Sequence, residues 1–198
     1  PPGKNVVETY PVGIGRLGDE TSTPLMTTQI RDKRVHPEWR PPKAVKAEAA
    51  ANGIVLPDVM PPGPKNPLGD YAMRLGGTSY LIHGTKRPRG VGSRVSSGCI
   101  RMYPEDIESL FQRVPEGTPA EIIHEPYRAG WAGHYLYFEA SKPLNEHSSL
   151  YSRRNVMQSI AAELTAPPYD VDWQKARRVA RARNGVPYVV GERNIARV

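Results

Sequence analysis

Proline and glycine recur so often in this chain that few stretches have room for a long helix. There are 21 prolines and 18 glycines in 198 residues. Each proline removes a backbone donor and fixes φ, and each glycine opens turn conformations that other residues avoid. Short apolar runs lie between them, so the punctuation reads as turns between short strands rather than as disorder. The expected fold is mainly β, with short helices packed on it. The length suits one good-sized domain, or one domain and a small appendage.

"NVVETYPVGIG" (residues 5–15) reads as a strand closed by a glycine-rich turn, and "PLMTTQIRDKRV" (24–35) as an extended segment. "PPKAVKAEAAANG" (41–53) reads as a short helix, with proline at its start and glycine at its stop. "LPDVMPPGPKNPLG" (56–69) is too proline-dense for a helix or a central strand and is expected to be a long loop. "YLIHG" (80–84) reads as a buried strand whose end meets a loop. "PEDIESLFQRV" (104–114) is the clearest helix: Pro104 opens it, Glu105 and Asp106 complement its dipole, and Ile107, Leu110, Phe111 and Val114 form one apolar stripe. "GTPAEIIHEP" and "HYLYFEA" read as two more strands.

Composition shifts after Leu144. "NVMQSIAAEL" carries a stripe at Val156, Met157, Ile160 and Leu164, and "DVDWQKARRVARARNG" reads as a helix capped by Asp170 or Asp172 and stopped by Gly185. The expected organisation is a β-rich domain over 1–144 and a small C-terminal helical appendage over 145–198. The chain opens close to a strand and carries no signal-peptide pattern, as a trimmed longer precursor would.

A formal net charge of +7 favours an anionic partner: nucleic acid, anionic membrane, or a carboxylate-rich polymer such as the bacterial cell wall. No long Lys/Arg tract is interleaved with aromatics, so nucleic acid is not expected as a partner. No run approaches about 18 apolar residues, so no transmembrane segment is expected. The basic run at Lys175, Arg177, Arg178, Arg181 and Arg183 reads first as the solvated face of a helix.

The single cysteine, Cys99, excludes an intramolecular disulfide and most cysteine-based metal sites. It lies in "SSGCIRMY", sixteen positions after His83 of "YLIHGT". A thiol reacts as the thiolate and needs a base, a cationic neighbourhood or a helix N-terminus. His83 is a candidate base. Lys86, Arg87, Arg89, Arg94 and Arg101 lie nearby with no acidic residue among them, and a helix is expected from Pro104. Gly98 would let a substrate approach, and the N–H groups at residues 97–99 could bind an oxyanion. Residue chemistry alone leaves Cys99 divided between a small buried hydrophobe and a nucleophile. His36, His124, His134 and His147 follow no metal-ligand spacing, and no metal is assigned.

"IHGTKRPRGVGSRVSSGCIRMYPEDIESLF" resembles the signature of the YkuD-type L,D-transpeptidases, the ErfK/YbiS/YcfS/YnhG group: His-Gly, a spacer of about fourteen residues, then Ser/Thr-x-Gly-Cys-Ile/Val-Arg. "TYPVGIGR", "PPGPKNPLGDYAMRLG" and "EGTPAEIIHEP" also look like that group's domain, so the resemblance covers roughly residues 5–144. It implies a YkuD-like β-rich catalytic domain with Cys99 as nucleophile and His83 as general base. The Gly84 carbonyl would orient the imidazole, and the backbone at Gly98 and Cys99 would form an oxyanion hole. Substrate contacts would fall to Ser96, Ser97, Arg101, Tyr80 and Thr85. One departure is visible: many members carry a second histidine where this chain has Ser97.

The resemblance further implies attack on peptidoglycan tetrapeptide stems through a thioester, with no cofactor, in the periplasm. An amine would resolve the thioester, either another stem, giving a 3→3 cross-link, or an outer-membrane lipoprotein lysine. Other readings are an L,D-carboxypeptidase or cross-link hydrolase of the same fold, a non-catalytic wall-binding module, and an anionic-polymer binder acting through the basic tail.

Overall fold

The computed structural model describes residues 8–18, 20–150, 153–164 and 169–193, without the side chains of 149, 150, 153–156 and 169. Residues 5–7 of the expected first strand and the Val156 side chain lie outside what is described. Two compact units divide the chain, Pro1–Ile122 and Ile123–Val198. No described helix is long and apolar enough to cross a membrane.

The first unit is built on a five-stranded sheet. Its members are β2 (Met26–Val35), β3 (Tyr71–Leu75), β4 (Leu81–His83), β6 (Ile100–Arg101) and β7 (Pro119–Ile122), in the order β6-β4-β3-β2-β7. All neighbours are antiparallel except β4 and β6, which run parallel. A short parallel pair joins β1 (Ile14–Gly15) to β5 (Arg94–Ser96). The strand expected over 5–15 is reduced to β1 within its described part, because Pro11 cannot donate to a ladder.

Helix α2 (Pro104–Arg113) starts on its proline and carries Glu105 and Asp106 in the first turn, as its sequence predicts. It sinks Ile107 and Phe111 into a core with Ile30, Met73, Leu75 and Met102. Helix α1 (Lys43–Ala51) forms where expected but buries no residue. Two ion pairs tie it down, Arg16–Glu48 and Lys46–Asp58. Being exposed and screened by solvent, such pairs contribute little.

The proline-dense stretch is a loop, and Asn66 organises it from within. Asn66 is fully buried. Its amide donates to the Pro37 carbonyl at 2.8 Å, with longer contacts to Met60 and Pro61, and its Oδ1 accepts from Leu68 N at 2.9 Å. A buried amide satisfied on both sides fixes a loop that lacks a ladder of its own.

The second unit holds a four-stranded antiparallel sheet, β10-β11-β9-β8, made of β8 (Tyr127–Ala132), β9 (Tyr135–Ala140), β10 (Tyr169–Val171) and β11 (Tyr188–Arg193). Helices α3 (Arg153–Ala161) and α4 (Trp173–Ala182) pack on it. Its own core contains Tyr127, Leu136, Phe138, Ile160, Ala176, Val179 and Val190. Asp172 caps α4 by accepting from Lys175 N at 2.8 Å, and Arg183 ends it in the left-handed region at φ 48. The helices lie where the sequence places them, but the tail also carries strands. β11 pairs with β9, which draws residues 123–144 into this unit rather than the first. The bulge between Val189 and Gly191 breaks the two-residue alternation that would have marked β11.

Candidate active site

The parallel pairing of β4 with β6 places the motif residues. Ile82 lies opposite Ile100, and His83 opposite Arg101. Ile82 and Met102 pack with the core. Strand alternation therefore turns Leu81, His83, Cys99 and Arg101 to the other face. Cys99 directly precedes β6 and is half-buried. The Leu81 backbone N–H favours its thiolate.

His83 is buried, at 3% exposure. Its Nδ1 lies 2.5 Å from the Gly84 carbonyl oxygen. That carbonyl takes the Nδ1 hydrogen, which leaves the basic lone pair on Nε2. Burial pushes the imidazole down to about 4 from 6.5; the Gly84 carbonyl opposes this, the Arg101 charge adds to it, and the Leu68 carbonyl also opposes it. The ring is thus neutral at pH 7. Burial likewise lifts the Cys99 thiol above its usual value, against the Leu81 N–H and the Arg101 charge. At rest the two groups are a neutral thiol and a neutral base rather than an ion pair.

The cations expected to activate the thiol are partly engaged elsewhere. Lys86 pairs with Asp70, and Arg94 Nε donates to the Gly15 carbonyl at 2.9 Å. Arg101 is the cation felt by both His83 and Cys99. Among the described residues its buried Nε finds no hydrogen-bond partner. Burial lowers its pKa, a Cys99 thiolate would raise it, and Arg87 and Arg16 lower it further.

Gly98 adopts φ +98, and a Cβ there would sit 2.2 Å from Tyr80 Cε1. The Tyr80 ring therefore covers the backbone just before the cysteine, and any side chain at 98 meets both a clash and left-handed strain. We expect Gly98→Ala to cost stability beyond the roughly 1–2 kcal/mol of the backbone penalty alone. Adding Tyr80→Ala relieves the clash but not the torsion, so chemical denaturation should find the double variant partly recovered.

Ser96 and Thr85, expected as substrate contacts, are both turned inward and buried. Ser96 Oγ donates to the Cys99 carbonyl at 2.5 Å, and Thr85 Oγ1 accepts from Arg87 N at 3.0 Å. Their hydroxyls are spent on the backbone of the motif, the sequence having given no sign of which way they face. Ser97 is half-buried and Tyr80 partly so.

Three contributors escaped the sequence reading. Leu68 brings a second carbonyl to the imidazole. Asn66 holds Leu68 in place through the bond to its N–H. Thr23 donates to the Gly98 carbonyl at 3.0 Å. The "PKNPLG" run hinted at the first two, since asparagine before proline favours a turn. Nothing local marks Thr23.

Known proteins match this chain along the same lines. The model of the YkuD family, the L,D-transpeptidase catalytic domain, matches residues 2–122. Probable L,D-transpeptidase YcfS of Escherichia coli K12 is 50% identical over 130 residues, 65% of this chain and 41% of that protein. Probable L,D-transpeptidase YbiS of the same strain is 37% identical over 193 residues, 94% of this chain and 62% of that protein. The chain thus spans less than two thirds of either relative. A solved L,D-transpeptidase from Mycobacterium tuberculosis H37Rv aligns with TM-score 0.41 and 22% identity over 58% of this chain and 42% of that one. With the family's catalytic domain matched across most of the first unit, the chain belongs to the YkuD family of L,D-transpeptidases.

Proposed function

We propose that this protein is a cysteine-dependent L,D-transpeptidase acting on peptidoglycan tetrapeptide stems in the periplasm. One observation carries the reading: the in-register parallel pairing of β4 and β6, which sets His83, with its Nδ1 held by Gly84, on the same face as Cys99.

Cys99 Sγ attacks the carbonyl that links diaminopimelate to the terminal D-Ala, and His83 takes the thiol proton as the S–C bond forms. The two carbonyls at the ring, Gly84 and Leu68, favour its protonated form and so steady the imidazolium. The oxyanion is met by the backbone N–H groups at Gly98 and Cys99, where one donor is typically worth about 3 kcal/mol. Collapse breaks the C–N bond, the proton passes from His83 to the departing D-Ala amine, and a thioester remains. An acceptor amine then gives its proton to His83 and attacks the thioester, and the proton returns to Cys99. Dividing one amide exchange into two acyl transfers lowers each barrier. The Arg101 charge, felt by both His83 and Cys99, suits a substrate carboxylate.

The acceptor is a second stem, giving a 3→3 cross-link. Mass spectrometry of disaccharide tetrapeptide incubated with the protein tests this. The expected product is a cross-linked dimer that has lost one D-Ala. Tripeptide alone would identify water as the acceptor and the protein as an L,D-carboxypeptidase, and dimer formed only with a lipoprotein lysine present would identify that acceptor instead.

A further inference from the structure

We infer that Thr23 is a positioning residue for the oxyanion site, acting through the peptide unit between Gly98 and Cys99. The inference rests on the reading of Cys99 as an acyl-accepting nucleophile. The Thr23 hydroxyl is held from both ends. It accepts from Gly15 N at 2.8 Å and donates to the Gly98 carbonyl at 3.0 Å. Accepting on one side directs its single hydrogen to the other. The segment is pressed against β1, for a Cβ on Gly15 would lie 2.1 Å from the Thr21 oxygen and 2.5 Å from Thr23 N.

The target of that hydrogen bond is the peptide unit after a glycine, whose backbone no side chain restrains. Gly98 sits at φ +98. Because the peptide is planar and trans, its C=O and N–H point in opposite directions. Pinning the Gly98 carbonyl therefore aims the Cys99 N–H the other way. That N–H is one of the donors placed at the developing oxyanion. Ser96 restrains the following peptide unit through the Cys99 carbonyl. The two hydroxyls thus fix the peptide planes on either side of the nucleophile.

The test compares two reactions of one sulfur. Acylation by a carbapenem passes through an oxyanion. Alkylation by iodoacetamide forms an S–C bond, expels iodide and has no oxyanion. In Thr23→Val we expect acylation to slow by roughly ten- to a hundredfold, since a misaimed donor forfeits much of its worth. Alkylation should keep the parent rate, and Thr23→Ser should restore acylation. Equal slowing of both reactions, or unchanged acylation, would overturn the inference. So would failure of Thr23→Val and Thr23→Ala to fold while Thr23→Ser folds, which would make the hydroxyl a stability element only. A parent protein that alkylates at Cys99 but never acylates there would overturn the nucleophile reading itself, a result distinct from the others.

Discussion

Replacing Cys99 by alanine is expected to abolish both D-Ala release and the covalent carbapenem adduct, a loss of at least about 10⁴-fold. Intact mass should show one adduct on the parent, on the peptide containing Cys99, and none on the variant. The fold should tolerate the change, because Ser96 binds the Cys99 carbonyl, a backbone atom that alanine keeps. Cys99→Ser should be nearly as inactive. Burial keeps the thiol protonated, and in the proposed mechanism neutral His83 takes its proton during attack. A base of so low a pKa that deprotonates a thiol with difficulty deprotonates an alcohol far less well. An adduct that persisted in Cys99→Ala would remove the sulfur from the mechanism.

His83→Gln should lower kcat/KM by about 10²- to 10⁴-fold, the usual worth of a positioned base. Glutamine can still donate to the Gly84 carbonyl but cannot take the proton. In the parent the acid limb of kcat/KM should fall near pH 4 rather than near 6.5, because the free protein's imidazole stays neutral down to about 4. Stability follows with a definite sign. Below pH 6.5 the unfolded chain gains a proton at this histidine, whereas the folded one does not until about pH 4. The stability contribution is complete above pH 6.5 and declines as pH falls toward 4. The whole decline is about 3 kcal/mol at 1.36 kcal/mol per unit. Urea unfolding at pH 7 and pH 4.5 should show this slope in the parent and lose it in His83→Gln. An acid limb unmoved from 6.5 would contradict the burial of the ring.

Sequence and structure agree where the signal is local. The apolar stripe and first-turn acids of residues 104–114 specify α2 through i, i+3 and i+4 spacing, and the prolines of 56–69 exclude a helix or a central strand. The spacing between His83 and Cys99 also acquires a cause. Adjacent parallel strands require a crossover of about a dozen or more residues, and residues 84–99 supply it. In the second unit β9 was legible as "HYLYFEA", but β10 and β11 were not, because β10 is three residues long and β11 is bulged at its glycine. Thr23 was illegible for a different reason. It bonds to Gly98 across 75 positions, and a hydroxyl reveals nothing about so distant a partner. The inward turn of Ser96 and Thr85 is likewise a property of packing, which residue type does not disclose.

The crossover also shows where this protein can accept new sequence. Residues 86–89 are exposed, and Gly92 at φ +82 has open space around it. Doubling such a loop costs only about 0.6 kcal/mol of closure entropy. Shortening it meets a hard limit, because β6 could no longer return alongside β4 in the same direction. Segments grafted at 86–89 would lengthen the crossover without altering the register of β4 and β6, which makes that tip the natural place for this chain to take up new sequence.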